Sequence, residues 1–296
     1  AQAEFAPERM MSVGVALREH PYLVMLGAPG AGKTTLLDYL ALGFAEGLPK
    51  EKRQELPSAR RLPIFIPLRR CANSDKPLSE ALADPSLKLL PPDLLADCPP
   101  GFFRKRLEKG GCLVLLDGLD EIASPAQYNA IVARINSLAD TYRGNRYVVT
   151  CRKAGWRGGL RGDFTALEIQ DFRPTEGERF VQGWYRAVLP ERVLRTFSGT
   201  EEERQVALKS ARQHAKTEAD KLIALLDEQE RLRWLAANPM MLSLIAFVHY
   251  TRSNLPRGRA ALYEECVKIL LQLWDERDKE LRLENSPSLA QKETVL

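Results

Sequence analysis

The hydrophobic pattern along the chain changes once, near Phe172. Before this residue, short apolar runs of strand type alternate with stretches of helical periodicity. The five runs are Tyr22–Leu26, Arg61–Arg70, Cys112–Leu116, Arg146–Arg152 and Phe164–Phe172. After Phe172 the periodicity is helical almost throughout. Strands that alternate with helices predict an α/β domain with a five-stranded parallel sheet flanked by helices, and the helical block predicts an all-α domain after it.

The intervals between the apolar runs predict the helices. In the first domain these are Pro7–His20, Thr34–Gly47, Leu78–Ala83, Phe102–Lys109 and Pro125–Ala139. In the second domain they are Pro174–Trp184, Glu201–Lys216, Thr217–Gln229, Leu232–Tyr250 with a break at Asn238-Pro239, and Arg259–Asp275. Two strands also carry positional information. The wholly apolar Cys112–Leu116 is typical of a covered parallel strand, and Pro63 and Pro67 predict that the second strand is short or at an edge.

The most specific chemistry follows the first strand. Eight residues match the phosphate-binding pattern G-x-x-x-x-G-K-[ST]. They are Gly27, Ala28, Pro29, Gly30, Ala31, Gly32, Lys33 and Thr34, with Thr35 next in the chain. Glycines let backbone N–H groups approach phosphate oxygens, and the positive end of the following helix points the same way. We expect Lys33 to reach the β- and γ-phosphates and Thr34 to place its hydroxyl on Mg²⁺. A glycine turn that matches by chance is the alternative, and the flanking strand and helix argue against it.

A cluster of carboxylates follows the third strand. Asp117 ends the strand, and Asp120 and Glu121 come three and four residues later. In open α/β sheets, ligands bind at this end of the strands. Asp117 is predicted to hold Mg²⁺, directly or through water, and Asp120 or Glu121 to polarise the attacking water. The alternative is an acidic N-cap for the helix Pro125–Ala139, which explains three neighbouring carboxylates less well.

The fourth strand ends in a cation, Arg152. If this strand lies beside the first, Thr150 and Arg152 emerge near the γ-phosphate, and Arg152 is a candidate catalytic group. A solvated arginine at a strand end is the alternative. The glycines and cations of Lys153–Arg161 predict a mobile basic loop at the rim of the site. Contact with nucleic acid is not expected, because no base-stacking module is recognisable.

Composition limits the remaining possibilities. The 296 residues are 45% hydrophobic and 28% charged, which suits one large or two medium domains. The net charge of +4 permits contact with anions. No apolar run approaches the ~20 residues that span a bilayer. The five cysteines lack paired C-x-x-C spacing, and Cys112 and Cys151 are predicted buried thiols, which favours a reducing, cytoplasmic compartment.

Several of these motifs resemble the NACHT family of signal-transducing NTPases, within the STAND class of P-loop switches that includes NLR-like receptors. In that family the second motif runs apolar strand, Asp, small residue, apolar residue, Asp, Glu, as it does here from Leu113 to Glu121. Related AAA+ motors usually place the Glu directly after the first Asp, where this chain has Gly118. Arg152 matches the family's phosphate-sensing position. The segment Asn238-Pro239-Met240-Met241-Leu242 resembles the N-P-[LM]-x-L element, whose proline lies against the adenine.

The resemblance implies a domain plan and a mode of action. It implies a nucleotide-binding domain over residues 1–172, a helical lid over 173–275, and a linker over 276–296 toward a missing winged-helix domain. Sensor and effector domains would also lie elsewhere in a longer protein. ATP or ADP would bind with Mg²⁺, slow hydrolysis would reset the switch, and the ATP form would form homo-oligomers that signal. Members of the family often act in innate or antiviral defence. The alternatives are a constantly cycling AAA+-type remodelling ATPase and a scaffold that its nucleotide merely stabilises.

Overall fold

The computed structural model describes residues 10–45, 56–57, 60–252, 255–256 and 260–268. The chain divides into two compact units, residues 1–170 and 171–296. Among the described residues, the strands belong to the first unit and the second unit is helical. Each unit has a hydrophobic core of its own.

The first unit is built on five parallel strands. They are β1 (Tyr22–Gly27), β2 (Leu62–Pro67), β3 (Cys112–Asp117), β4 (Arg146–Arg152) and β5 (Thr165–Glu168). Their order across the sheet is β2-β3-β4-β1-β5, and each neighbouring pair is parallel. The predicted parallel sheet is therefore confirmed, with the proline-bracketed β2 at one edge. Gly27, Asp117 and Arg152 are the last residues of β1, β3 and β4. Because the strands are parallel, these three residues lie together along the carboxyl ends of the strands, which we call the carboxyl edge of the sheet.

Helices cover both faces of this sheet. They are α1 (Val13–Glu19), α2 (Lys33–Phe44), α3 (Leu68–Cys71), α4 (Pro92–Asp97), α5 (Phe102–Lys109) and α6 (Pro125–Thr141). Side chains of β1 alternate between the faces, as the pleat requires. Leu23 and Met25 belong to the cluster that includes α1 and α2, and Val24 and Leu26 to the cluster that includes α6. The central strands are thus buried on both faces, which explains their continuous apolar sequence.

Several elements of the first unit differ from the prediction. The strand predicted over Arg61–Arg70 ends at Pro67, and Leu68–Cys71 is the short helix α3. β5 is confined to Thr165–Glu168, because it is an edge strand that pairs with β1 and the chain leaves the sheet after Ile169. Leu78–Ala83 is a 3₁₀ helix, a form suited to such short segments. α1 begins at Val13, since Ser12 accepts a hydrogen bond from Val15 N–H and caps it. Part of the predicted Pro7–His20 helix lies outside the described residues.

The second unit contains α7 (Pro174–Thr196), α8 (Glu201–Glu228), α9 (Glu230–Ala236) and α10 (Pro239–Arg252), and residues 260–268 are also helical. The two helices predicted over Glu201–Gln229 are one, with the Thr217 hydroxyl donating to the carbonyl of Gln213 inside it. α7 runs well beyond the predicted end at Trp184, because its buried face continues through Tyr185 and Leu189. The predicted break at Asn238-Pro239 is confirmed. The end of the predicted Arg259–Asp275 helix lies outside the described residues.

Candidate nucleotide-binding site

The glycine loop connects β1 to α2 at the carboxyl edge of the sheet. Gly30 and Gly32 have φ of 75° and 82°, a conformation that side chains with a Cβ rarely adopt. Gly32 occupies the N-cap position of α2 and has no side chain to satisfy the first N–H groups of the helix. Those N–H groups and the positive helix end suit a phosphate. Thr35, in the first turn, is exposed.

Lys33 is held over this loop. Its Nζ donates hydrogen bonds to the carbonyl oxygens of Gly27, at 3.1 Å, and Ala28, at 2.9 Å. Burial lowers the pKa of Lys33, and the negative charge of Asp120 opposes that shift. The amine is therefore partly desolvated, and it lies close enough to Asp120 for their charges to interact. A partly desolvated cation beside a loop of backbone N–H groups is suited to binding phosphate.

A hydroxyl and a carboxylate from distant parts of the chain meet beside the loop. Thr34 Oγ1 donates a hydrogen bond of 2.9 Å to Asp117 Oδ2, across 83 positions of sequence. Both are oxygen ligands of the kind that Mg²⁺ prefers, and Mg²⁺ usually completes its shell with water and substrate phosphates. The described residues contain no group of three or more His, Cys, Asp or Glu that could hold a metal alone. The pair thus fits a magnesium ion that is shared with a nucleotide.

Asp120 is held by Arg152. The backbone N–H of Arg152 donates to Asp120 Oδ1 at 2.7 Å, and its Nε lies 3.0 Å from Asp120 Oδ2. The Asp120 side chain is 9% exposed and that of Arg152 is 53% exposed. A Cβ on Gly155 would lie 2.6 Å from Asp120 Cβ, so only glycine permits this approach of the chain after β4. Asp120 is therefore enclosed and ion-paired.

Glu121 has a different environment, although it is the next residue. Its side chain is exposed, and it makes no hydrogen bond or ion pair within the part of the chain that the structure describes. Its carboxyl group lies over Gly118, where an added Cβ would come within 3.2 Å of Glu121 Cδ. Gly118 also has a φ of 77°, which favours glycine.

The alternative in which these carboxylates cap the following helix is wrong, because the N-cap residue of α6 is Ser124.

β4 lies beside β1, with Arg152 paired to Gly27, which is the arrangement that the prediction of a phosphate-facing Arg152 needs. Thr150 is 1% exposed and its hydroxyl bonds to Asp117 Oδ1 and Gly118 N–H. The sequence predicts Thr150 near the γ-phosphate, but not its hydrogen bond to Asp117. The sequence does contain a signal for such a partner, because Thr150 is a polar residue inside an apolar strand and buried hydroxyl groups need hydrogen-bond partners.

The loop after β4 is better anchored than expected. The Tyr128 hydroxyl accepts from Arg157 N–H and donates to the carbonyl of Gly158. Asn136 donates to Gly159 O and accepts from Arg161 N–H. The cations of this loop also have partners. Lys153 pairs with Glu168, and Arg161 pairs with Asp140 and Asp163. The Arg157 guanidinium lies 5.3 Å from the centroid of the Tyr128 ring. The expectation of a mobile basic loop does not match these contacts.

Pro239 belongs to the second unit and begins α10. Asn238 Oδ1 accepts hydrogen bonds from the N–H groups of Met240, at 3.1 Å, and Met241, at 3.2 Å. Proline suits this first helical position because its φ is preset and it has no N–H to satisfy. The local structure is thus a capped helix start with a half-buried Pro239. Contact of Pro239 with a base stays a prediction.

The protein-family model of the NACHT domain matches residues 21–188, which is more than half of the chain. No curated protein sequence matches the chain. A Walker-type ATPase of Pyrococcus abyssi has 12% identity and a TM-score of 0.45, with 92% of this chain and 73% of that chain covered. AMPPCP-bound DnaA from Aquifex aeolicus has 12% identity and a TM-score of 0.31, with coverages of 89% and 79%.

A further solved structure is a signal transduction ATPase with numerous domains, a STAND protein, with a tetratricopeptide repeat sensor from Pyrococcus horikoshii. It has 14% identity and a TM-score of 0.31. The aligned region covers 92% of this chain and 47% of that chain.

Within the described residues, every helix is too short or too polar to cross a membrane.

Proposed function

The chain belongs to the NACHT family of P-loop NTPases, and on that premise we propose that it is a switch governed by adenine nucleotides. It binds ATP or ADP with Mg²⁺ at the carboxyl edge of the sheet, hydrolyses ATP slowly, and controls the assembly and signalling of a larger receptor. Side chains of the first unit would bind the phosphates and the metal, and the second unit would contact the base.

The hydrogen bond between Thr34 and Asp117 carries this proposal. It joins the glycine loop to the acidic strand end, so one Mg²⁺ can contact both residues and the nucleotide phosphates. Bound Mg²⁺ would neutralise charge that develops on the phosphates. The loop N–H groups and Lys33 would bind the β- and γ-phosphates from the other side.

The surroundings of the two carboxylates bear on which one acts as the base and on how fast hydrolysis is. Glu121 is the better candidate to polarise the attacking water, because its carboxylate is exposed and unpaired among the described residues, whereas Asp120 is ion-paired. Arg152 Nε pairs with Asp120, so a guanidinium that turns its Nε edge toward a phosphate gives up this ion pair. That rearrangement adds a step before the transition state, which suits a resetting reaction more than rapid turnover.

The finer parts of the proposal rest on the family resemblance. The helical unit acts as a lid in which Pro239 lies against the adenine, and it exchanges between an ADP-favoured and an ATP-favoured arrangement. A nucleotide shifts that equilibrium only through its differential affinity for the two states. The ATP form assembles into homo-oligomers, and winged-helix, sensor and effector domains complete a cytoplasmic receptor of the kind used in innate or antiviral defence.

Turnover and bound nucleotide test this function together. The purified chain is denatured, the released nucleotide is identified by chromatography, and steady-state ATP hydrolysis is measured with and without Mg²⁺. We expect bound adenine nucleotide and a Mg²⁺-dependent rate well below the ~1 s⁻¹ of slow typical enzymes. Fast hydrolysis by rings that need no trigger would indicate a cycling AAA+-type ATPase. Nucleotide that is neither hydrolysed nor exchanged would indicate a stabilised scaffold.

A further inference from the structure

The strands that carry Asp117 and Arg152 separate just before the site. Backbone pairing between β3 and β4 ends at Leu116 opposite Val149. Pairing between β1 and β4 continues further, to Gly27 opposite Arg152. At its carboxyl end β4 therefore continues beside β1 after its register with β3 has ended. Asp117 is the first residue of β3 beyond its register with β4, and on the other side it is paired with Pro67 of β2.

The side chain of Thr150 joins the two strands where the backbone pairing stops. Thr150 Oγ1 lies 2.5 Å from Asp117 Oδ1 and accepts a hydrogen bond of 2.9 Å from Gly118 N–H. Thr150 is 1% exposed, and Gly118 is buried. Buried hydrogen bonds of this kind are little weakened by competition with water, and those to a charged group are the strongest.

The direction of these bonds follows from the hydroxyl group. A threonine hydroxyl has one proton to donate, and an N–H group can only donate. Since Gly118 N–H donates to Thr150 Oγ1, the proton of Thr150 is directed to Asp117 Oδ1. Asp117 Oδ2 accepts from Thr34 instead. Each carboxylate oxygen of Asp117 thus has its own hydroxyl partner, and the rotation of the carboxylate is restricted.

We propose that Thr150 is a positioning residue for the magnesium site, and that it holds Asp117 Oδ1 so that Oδ2 faces Thr34 and the metal. This inference rests on the proposed function, in which Asp117 holds Mg²⁺. Thr150 itself would contact neither metal nor nucleotide. The branched Cβ restricts the Thr150 side chain to few rotamers, which helps to fix the direction of its hydroxyl.

Metal affinity is the measurement that tests this role. The full chain with bound ADP is titrated with Mg²⁺, followed by calorimetry, and ADP affinity is measured separately in EDTA. The test variant is Thr150→Val, which keeps the shape and removes the hydroxyl, and Thr150→Ser restores the hydroxyl. Thr165→Val is the matched control, because Thr165 begins the outer strand β5, away from the carboxyl ends of the strands. Its hydroxyl contacts His20 Nδ1 at 3.2 Å. Asp117→Asn is the reference for loss of the ligand.

Loss of a residue that orients a metal ligand typically costs about 10–100-fold in metal affinity. We expect Thr150→Val to raise the Mg²⁺ concentration for half-saturation by about this factor, with ADP affinity in EDTA unchanged within about threefold. Thr165→Val should titrate like the parent chain, and Thr150→Ser, which keeps the hydroxyl without the branched Cβ, should titrate much closer to the parent chain than Thr150→Val does. If Thr150→Val does not fold, Thr150→Cys takes its place, because a thiol donates and accepts only weakly.

Two results would overturn the positioning role. One is an unchanged Mg²⁺ titration of Thr150→Val while Asp117→Asn is impaired. The other is an equal loss of ADP affinity with and without Mg²⁺, which would make Thr150 only a structural link between β3 and β4. A normal Mg²⁺ titration of Asp117→Asn would instead reject the metal site in the proposed function, and this inference with it.

Discussion

Glu121 and Asp120 are adjacent carboxylates, and replacing each by its amide should have opposite consequences for rate and stability. Glu121→Gln and Asp120→Asn both remove one negative charge and keep the shape of the side chain. The two variants serve as matched controls for each other. We expect Glu121→Gln to stop hydrolysis of bound ATP with little effect on folding, and Asp120→Asn to weaken folding first.

The magnitudes follow from the surroundings of each carboxylate. A general base contributes about 10²–10⁴-fold to a rate, or about 3–5 kcal/mol of activation free energy. Glu121 is exposed, so Glu121→Gln should change the free energy of unfolding by less than about 0.5 kcal/mol. Asp120 accepts from Arg152 N–H and pairs with its Nε. Asparagine keeps the first contact, and losing the ion pair should cost about 1 kcal/mol, because Arg152 is half exposed.

Single-turnover hydrolysis and thermal unfolding measure the two effects on the same samples. A loss of about 1 kcal/mol lowers the Tm of a unit of this size by about 2–4 °C. Glu121→Gln should keep its Tm within about 1 °C, bind ATP normally and hydrolyse it about 10²–10⁴-fold more slowly. Asp120→Asn should show the lower Tm and keep more of the rate than Glu121→Gln does.

The reverse pattern would refute this reasoning. If Asp120→Asn lost hydrolysis at an unchanged Tm while Glu121→Gln remained active, Asp120 would be the base. Its ion pair with Arg152 would then not prevent it from polarising the attacking water. Unimpaired hydrolysis in both variants would reject the acidic pair as the catalytic group altogether.

Three further predictions concern the phosphates, the base and pH. Lys33→Ala should lower ATP and ADP affinity at least about tenfold, since a charge-assisted contact is worth roughly 1.5–3 kcal/mol, and unchanged calorimetric affinity would contradict the loop assignment. A chain ending at Phe172 should bind adenine nucleotides more weakly than the full 296 residues and distinguish ATP from GTP less well; a folded fragment with full affinity and base preference would exclude base recognition by the lid. Burial lowers the pKa of His249, whose Nδ1 lies 2.6 Å from the Tyr185 hydroxyl, and the nearby Glu218 opposes this shift. The neutral ring is therefore the native form, so the Tm of the helical unit should fall as pH drops below the unfolded value of ~6.5, and His249→Gln should lose this dependence.

Much of the first unit could be predicted from local sequence, because its elements depend on neighbouring residues. The glycine loop requires left-handed backbone at Gly30 and Gly32, and a fixed spacing of glycines records that requirement in the chain. The start of α10 is equally local, since Asn238 caps the helix that Pro239 begins. The apolar runs of β1, β3 and β4 likewise record burial on both faces of a sheet.

The contacts that complete the site depend on which strands become neighbours. Local patterns do not determine strand order, because pairing joins residues far apart in the chain and is selected by the burial of whole faces. Only the position of β4 between β1 and β3 brings Arg152 to Asp120 and Thr150 to Asp117. The same tertiary pairing gives the two adjacent carboxylates, which the sequence could not rank, different surroundings. Asp120 is enclosed by the chain after β4, whereas the carboxyl group of Glu121 lies over Gly118.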